Sequence, residues 1–285
     1  MSTFDELSPK HRHDPGALRI LILGCGPAGL MAAQGAWNSG ADVEVDIVSN
    51  KRKSEMFGAQ YLHKPIPGIS DLDDWVMVNY TVLGTERMPM IDAIDQYRRK
   101  VYGQFWDGSV SPEELLQEHR AWDIKSAYEK LWERWQSSIH HMVVHPDTVR
   151  TAIDSNKYKY IFNTIPMDRL CYQDHTFRSI KIRAMGDAPE RGQEVPYECA
   201  PNTVVCNGMP EPSWYRVSNI WGAKTVEWPF SQKVPFQHAE VMKPLGNNCD
   251  CFPEVTRVGR YGTWQKGVLS HEAYDVTFNL LAGMS

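Results

Sequence analysis

Three glycines in the stretch Gly24-Cys-Gly-Pro-Ala-Gly29 carry the first chemistry that this chain of 285 residues suggests. They follow an apolar β-type run, Arg19 to Leu23, and precede a small-residue helix from Leu30 to Trp37. That is the context a dinucleotide fingerprint requires. Gly24 permits the tight turn, Gly26 leaves room for a pyrophosphate and Gly29 lets helix and strand pack closely. Pro27 and Ala28 sit at the helix start, whose unpaired N–H groups and partial positive charge suit two phosphates. The competing reading is a strand-to-helix turn with no ligand.

The second strand, Val43 to Val48, should say which dinucleotide is bound, because an acid about 20 residues after the fingerprint grips the ribose hydroxyls. Here the strand ends in Ser49-Asn50, followed by Lys51-Arg52-Lys53. Either Ser49 or Asn50 bonds a ribose hydroxyl as a neutral partner, or the basic run meets an adenosine 2'-phosphate, or the run is a solvated loop.

Further along, the loop Met56 to Gly68 brackets Gln60, Tyr61 and His63 with two prolines and two glycines, so it is a shaped loop and not a helix. His63 is the best acid or base candidate, since an ordinary imidazole titrates near neutrality. Arg216 is placed to hold a carboxylate or phosphate in bidentate fashion, or to form a structural ion pair. His140, His141, His145 and His271 show no shared geometry as metal ligands. The six cysteines at 25, 171, 199, 206, 249 and 251 lack metal-ligand spacing, and Cys249-Asp-Cys251 is tighter than the usual zinc knuckle. Reduced thiols in a cytosolic compartment are the simplest account, with no metal.

The elements that must position these residues read as follows. Trp75 to Leu83 alternates like a strand, and Arg87 to about Gln136 reads as helix, with Ser111 and Pro112 opening one segment. His140 to Val144 and Tyr160 to Pro166 return to strands, the latter stopping at a proline. Short strands at Phe177 to Ala184, Thr203 to Cys206, Trp214 to Ile220 and Lys224 to Trp228 suit an antiparallel sheet. Ser270 is a candidate N-cap for a last helix from His271 to about Leu281. With 42% hydrophobic residues and a net charge of −5, the chain is an ordinary globular one with no broad nucleic-acid or anionic-membrane surface. No apolar run approaches the ~20 residues that span a bilayer. Residues 1–17 read as a polar, flexible tail without a signal-peptide core, which places the protein in the cytoplasm.

Three separated segments, Gly24 to Gly29, Phe57-Gly-Ala-Gln-Tyr-Leu-His63 and Gly259-Arg-Tyr-Gly-Thr-Trp264, resemble the FAD-binding segments of UDP-galactopyranose mutase and the amine-oxidase-like flavoproteins. Pro212 to Asn219 resembles that family's substrate-sheet segment around an arginine, and Tyr160 to Pro166 its strand near the flavin. A fainter resemblance is to flavoenzymes of bacteriophage pathways that elaborate modified thymine bases. The chain departs from the mutases in its shortness, in lacking the acid after the second strand, in carrying Gln60 where a histidine is expected, and in lacking the residues that hold a UDP-sugar diphosphate.

The resemblance implies an α/β fold: a Rossmann-type FAD-binding domain with a parallel sheet, formed by 18–70, 140–170 and 250–285. The remaining portion, 71–139 and 171–249, would supply a helical insertion and a smaller antiparallel substrate sheet. It implies FAD held by Gly24, Gly26, Pro27, Ala28, Gly29, Ser49, Asn50, Lys51, Gln60, Tyr61, Thr164, Arg260, Trp264, Gly267, Val268 and Leu269, with His63 and Arg216 as catalytic residues. N–H groups at Val268 to Ser270 would face the flavin pyrimidine, and Arg260 its pyrophosphate. The activity implied is oxidation or cleavage of a C–N bond in a small amine or amino-acid-like substrate by hydride transfer to flavin. The alternatives are a mutase-like isomerase using reduced flavin and a non-catalytic dinucleotide-binding protein.

Overall fold

A computed structural model describes residues 16–53, 55–57, 60–109, 111–185, 197–211, 213–234 and 238–284. The tail expected over 1–17 falls outside this set except for 16 and 17, as do Gly58, Ala59 and Pro212 of the segments named above. The first half of the chain forms β1 (Leu18–Leu23), α1 (Pro27–Asn38), β2 (Val43–Ser49), β3 (Val76–Leu83), α2 (Met90–Tyr102), α3 (Pro112–Leu116), β4 (His119–Ala121) and α4 (Ile124–Trp135). The second half forms β5 (Ile139–His141), α5 (Pro146–Asp154), β6 (Tyr160–Asn163), α6 (Met167–Leu170), β7 (Phe177–Ala184), β8 (Thr203–Asn207), β9 (Arg216–Ile220) and β10 (Ala223–Pro229). It closes with β11 (Ala239–Asn247), β12 (Val255–Arg257), α7 (Gly259–Thr263) and α8 (Glu272–Ala282).

Five strands make a wholly parallel sheet in the order β12-β6-β1-β2-β5. The chain leaves β1 to one side, through β2 and β5, and then returns across it to β6 and β12. This is the nucleotide-binding arrangement of the Rossmann type, and the order reverses between β1 and β6, where such sheets open a crevice at their carboxyl ends. Both faces are covered, as a parallel sheet demands. Leu30, Met31, Tyr128, Leu131, Trp135 and Leu281 from α1, α4 and α8 bury one face. Val149, Ala152, Met167, Leu170 and Trp264 bury the other.

Helix α1 is built from small residues because α8 crosses it at backbone distance: a Cβ at Gly35 would lie 2.5 Å from the Tyr274 carbonyl oxygen. The aromatic load of the region after Arg87 also has its explanation here. Trp122 and Trp135 are core residues beneath α1, and Asp123 caps α4 by accepting from the Lys125 and Ser126 amides at 2.8 and 3.3 Å. Helix α5, absent from the sequence reading, starts on His145 with Pro146 in its first turn, a signal that the run of strand-like residues before it hides.

The second sheet differs from the smaller antiparallel one expected. It has seven strands, in the order β11-β7-β10-β9-β8-β3-β4, and β3 pairs with β8 in parallel. The reason is topological. The connection from β3 to β8 passes through β5 and β6 of the parallel sheet, a long crossover of the kind that a parallel pair needs. Ala93, Ile94, Tyr97 and Val101 of α2 pack on this sheet with Val78, Val82, Val204 and Cys206. Among the described residues no helix is long and apolar enough to cross a membrane.

Candidate functional site

The glycine-rich turn lies at the β1–β6 switch point, and each of its glycines has a different reason to be there. Gly24 has φ +102°, and a Cβ on it would overlap the Thr164 hydroxyl. A Cβ at Gly29 would overlap the Gly24 carbonyl oxygen. Gly26 is unlike both, with an ordinary φ of −70° and nothing within 4 Å of where its Cβ would stand. Neither the backbone nor any described neighbour requires glycine at this position. Gly26 is the N-cap of α1, with Pro27 following, no side-chain cap and no acid in the first turn. The helix start therefore presents free N–H groups to the open space beside Gly26. From α4, the Tyr128 hydroxyl donates to the Cys25 carbonyl at 3.0 Å and fixes the loop, a support the sequence reading missed.

At the end of β2 one side chain of the basic run, Arg52, is already engaged. Arg52 pairs with Glu129 and lies 4.8 Å over the Trp132 ring, and the Lys53 amide donates to the Tyr128 hydroxyl at 3.2 Å. Ser49 is buried, and its hydroxyl lies 3.4 Å from the Lys51 carbonyl, while the Asn50 and Lys51 side chains are exposed at the sheet edge.

The far end of the crevice is closed by the segment after β12. Gly259 has φ +69°, and a Cβ on it would stand 2.7 Å from the Ala28 Cβ, so α7 starts against the N-terminus of α1. Arg260 follows directly, half-buried, and its guanidinium has no hydrogen bond or ion pair among the described residues.

His63 stands where three elements meet. Its ring lies 4.5 Å from Tyr61, 5.0 Å from His119 on β4 and 6.2 Å from His271 at the start of α8, measured between centroids. The Tyr61 and Tyr80 hydroxyls are 3.2 Å apart, and Tyr80 faces His119 at 5.9 Å. Burial pushes the His63 pKa down to about 4, with His119 and His271 adding to the effect. His63 is therefore neutral at physiological pH, an acceptor and not a cation. His271 thus joins His63 and His119 in a grouping that the sequence reading did not raise. Burial lowers both His119 and His271 as well.

A stability consequence follows from these three shifts. A histidine whose folded pKa is below its unfolded value of ~6.5 leaves the unfolded chain binding more protons between the two, so stability rises with pH across that window and is lost as the pH falls through it. Unfolding free energy from denaturant titration is expected to be flat above about pH 6.5 and to drop towards pH 4, with His63 contributing on the order of 2 kcal/mol. His63→Gln should flatten that slope; an unchanged slope would mean the imidazole is already charged in the folded protein.

Arg216 is not a free clamp. It donates to Glu227 at 2.6 Å, and Lys243 donates to the other carboxylate oxygen at 2.5 Å. Burial alone raises Glu227, yet Arg216 and Lys243 together bring its pKa down to about 2. Two cations on one carboxylate leave a positive excess. Arg216 is within electrostatic reach of Tyr80 and Tyr97, and Lys243 of Arg260. Electrostatic reach thus links Arg260, Lys243, Glu227, Arg216 and Tyr61 in a polar seam that ends beside His63.

Several expected cofactor contacts take other roles. The Thr164 hydroxyl donates to the Leu23 carbonyl at 2.8 Å and locks β1 to β6. Trp264 is 1% exposed, with its indole N–H donating to the Arg178 carbonyl at 3.1 Å, so it is core and does not stack on a ring in the crevice. Gln60 is exposed and donates to the Phe57 carbonyl at 2.6 Å. The last helix starts after His271 and not at Ser270, and Glu272 accepts the Leu269 amide at 3.2 Å. Of the expected turn, Leu269 is thereby committed, Val268 is half-buried and Gly267 is exposed. Away from the seam, the fold also gathers Cys171, His175, Cys249 and Cys251 into one cluster, which the sequence spacing conceals.

No protein-family model matches the chain, and no curated protein matches it. Among solved structures the chain is similar to MibH, a tryptophan 5-halogenase, at 12% identity over 95% of this chain and 68% of that one, with a TM-score of 0.47. It is also similar to a tryptophan halogenase from Shewanella frigidimarina, at 10% identity over 94% and 71%, with a TM-score of 0.48. A third likeness is to 2-methyl-3-hydroxypyridine-5-carboxylic acid oxygenase, at 10% identity over 94% and 88%, with a TM-score of 0.40. These are likenesses of chain course.

Proposed function

We propose that this protein is a FAD-dependent enzyme that oxidises or cleaves a C–N bond in a small amine or amino-acid-like substrate. The observation that carries the reading is Gly26: a glycine that neither conformation nor packing calls for, beside an uncapped helix start at the switch point of a parallel sheet. The residues present fit the pyrophosphate of a dinucleotide, with the first amides of α1 and the unpaired Arg260 on its two sides. Ser49 and Asn50 suit the adenosine ribose, and the seam towards His63 suits the isoalloxazine.

Bound there, FAD supplies a two-electron acceptor. The chain's own residues do the rest. A substrate amine must lose its proton before its C–N bond can be oxidised; neutral His63 would take that proton in transit and pass it on to solvent, because its pKa of about 4 lies far below that of an amine. The positive excess around Glu227 would hold a substrate carboxylate. Tyr61, its pKa raised by burial and by Tyr80, stays protonated and serves as a hydrogen-bond donor. The reading is tested by mixing the oxidised holoenzyme anaerobically with amines, amino acids and base-linked amines. Loss of the oxidised flavin absorbance supports it; turnover of UDP-galactose by pre-reduced enzyme alone would replace it with isomerisation.

A further inference from the structure

The fold brings together two short segments that lie far apart in the chain. Cys171 ends α6 and His175 precedes β7, while Cys249 and Cys251 flank Asp250 between β11 and β12. One ligand atom from each lies within 4.8 Å of all the others. Cys171 Sγ is 3.2 Å from His175 Nδ1 and 3.9 Å from Cys251 Sγ, and Cys251 Sγ is 3.6 Å from His175 Nδ1. We infer that these four side chains form a structural zinc site that staples the crossover after β6 to the segment entering β12.

The distances suit that chemistry. A tetrahedron with Zn–S of about 2.3 Å and Zn–N of about 2.05 Å has sulfur–sulfur edges of about 3.8 Å and sulfur–nitrogen edges of about 3.6 Å. A disulfide needs sulfurs about 2.05 Å apart, and all six cysteines are free. Three thiolates and one imidazole complete four-coordination and leave no open position, which is the signature of a structural site. The ligand set is soft and selects zinc over magnesium or calcium.

The surroundings are those of a built site. The other ring nitrogen of His175, Nε2, faces Asp250 Oδ1 at 3.2 Å, a carboxylate that would fix the tautomer and leave Nδ1 free to ligate. Arg257 donates to the Cys249 carbonyl at 2.8 Å and to the Cys251 carbonyl at 2.7 Å, and its guanidinium lies 3.9 Å from the Cys249 sulfur. Three thiolates around a dication carry a net negative charge, which this arginine offsets. Asn247 holds the Cys249 amide at 2.9 Å, and Phe252 turns the chain with φ +57° directly after Cys251. The two-residue repeat of Cys249-Asp-Cys251 is too tight to announce a site alone. Its partners come from about 75 residues earlier, carried there because β12 pairs with β6.

The consequence for the fold is specific. β12 is three residues long and leads straight into Gly259 and Arg260. A metal tie at its entry would hold that short segment against α6.

The test uses the full chain, expressed with zinc in the medium and purified under reducing conditions without chelator. We expect about one zinc per chain by elemental analysis, and cobalt substitution should give the visible absorption of a tetrahedral thiolate site. Cys251→Ser and His175→Ala should each lower the metal content at least tenfold, whereas Cys206→Ser, a buried cysteine outside the cluster, should retain it. Should those variants not fold, chelator treatment of the wild-type protein gives the same information. The thermal midpoint should fall by several degrees and be restored by zinc but not magnesium. Folded wild-type protein with under a tenth of an equivalent of zinc, no cobalt spectrum and three reactive thiols here would overturn the site, as would a disulfide between Cys171 and Cys251.

Discussion

Gly26→Val is expected to abolish flavin binding, weakening it by ~10²-fold or more, while the protein stays folded. The two halves of this expectation come from the same place. The φ of −70° is one that valine adopts, and the space within 4 Å of the new Cβ is empty of protein, so folding has little to lose. A pyrophosphate seated on the first amides of α1 would need that space. Gly29→Val provides the contrast. Its side chain would overlap the Gly24 carbonyl, and loss of binding there would come with loss of structure. Thermal unfolding and flavin occupancy measured on both variants separate a ligand requirement from a packing requirement. A folded Gly26→Val protein with full flavin occupancy would remove the cofactor from this crevice.

The second large effect concerns His63. His63→Gln should slow anaerobic flavin reduction by ~10²-fold to ~10⁴-fold, the usual worth of a positioned proton acceptor, without lowering the FAD content. Because burial and the neighbouring histidines hold its pKa at about 4, His63 remains neutral across the physiological range. The wild-type rate should therefore show no acid limb from this group until the pH approaches that value. Unchanged stopped-flow kinetics in His63→Gln would take His63 out of the reaction and leave it as one wall of an aromatic cluster.

What the sequence disclosed and what it withheld divide along the reach of each signal. The turn from β1 to α1 is local, and so the apolar run, the three glycines and the small residues of α1 read directly. The alternation of β7 over Phe177–Ala184 is legible for the same reason. The partners of His63 are not local. His119 arrives on β4 and His271 ahead of α8, and nothing in the spacing of these residues announces that they converge. Trp264 is open to two readings from the sequence, stacking on the flavin ring or filling the core. The left-handed backbone at this residue, which no local pattern announces, turns the indole into the core beside Phe177. Arg216 could be a clamp or an ion pair on sequence grounds, and only the register of β9 against β10, which sets it opposite Glu227, decides between them.

The central claim is that the crevice at the β1–β6 switch point holds FAD, and the most direct measurement is the absorption spectrum of the freshly purified full chain followed by identification of the molecule released on denaturation. The account predicts a yellow protein that releases FAD in close to stoichiometric amount, or a colourless one that takes up added FAD and recovers that spectrum. A folded, colourless protein that takes up no FAD, and instead binds NADH or NADPH tightly at this crevice, would contradict it.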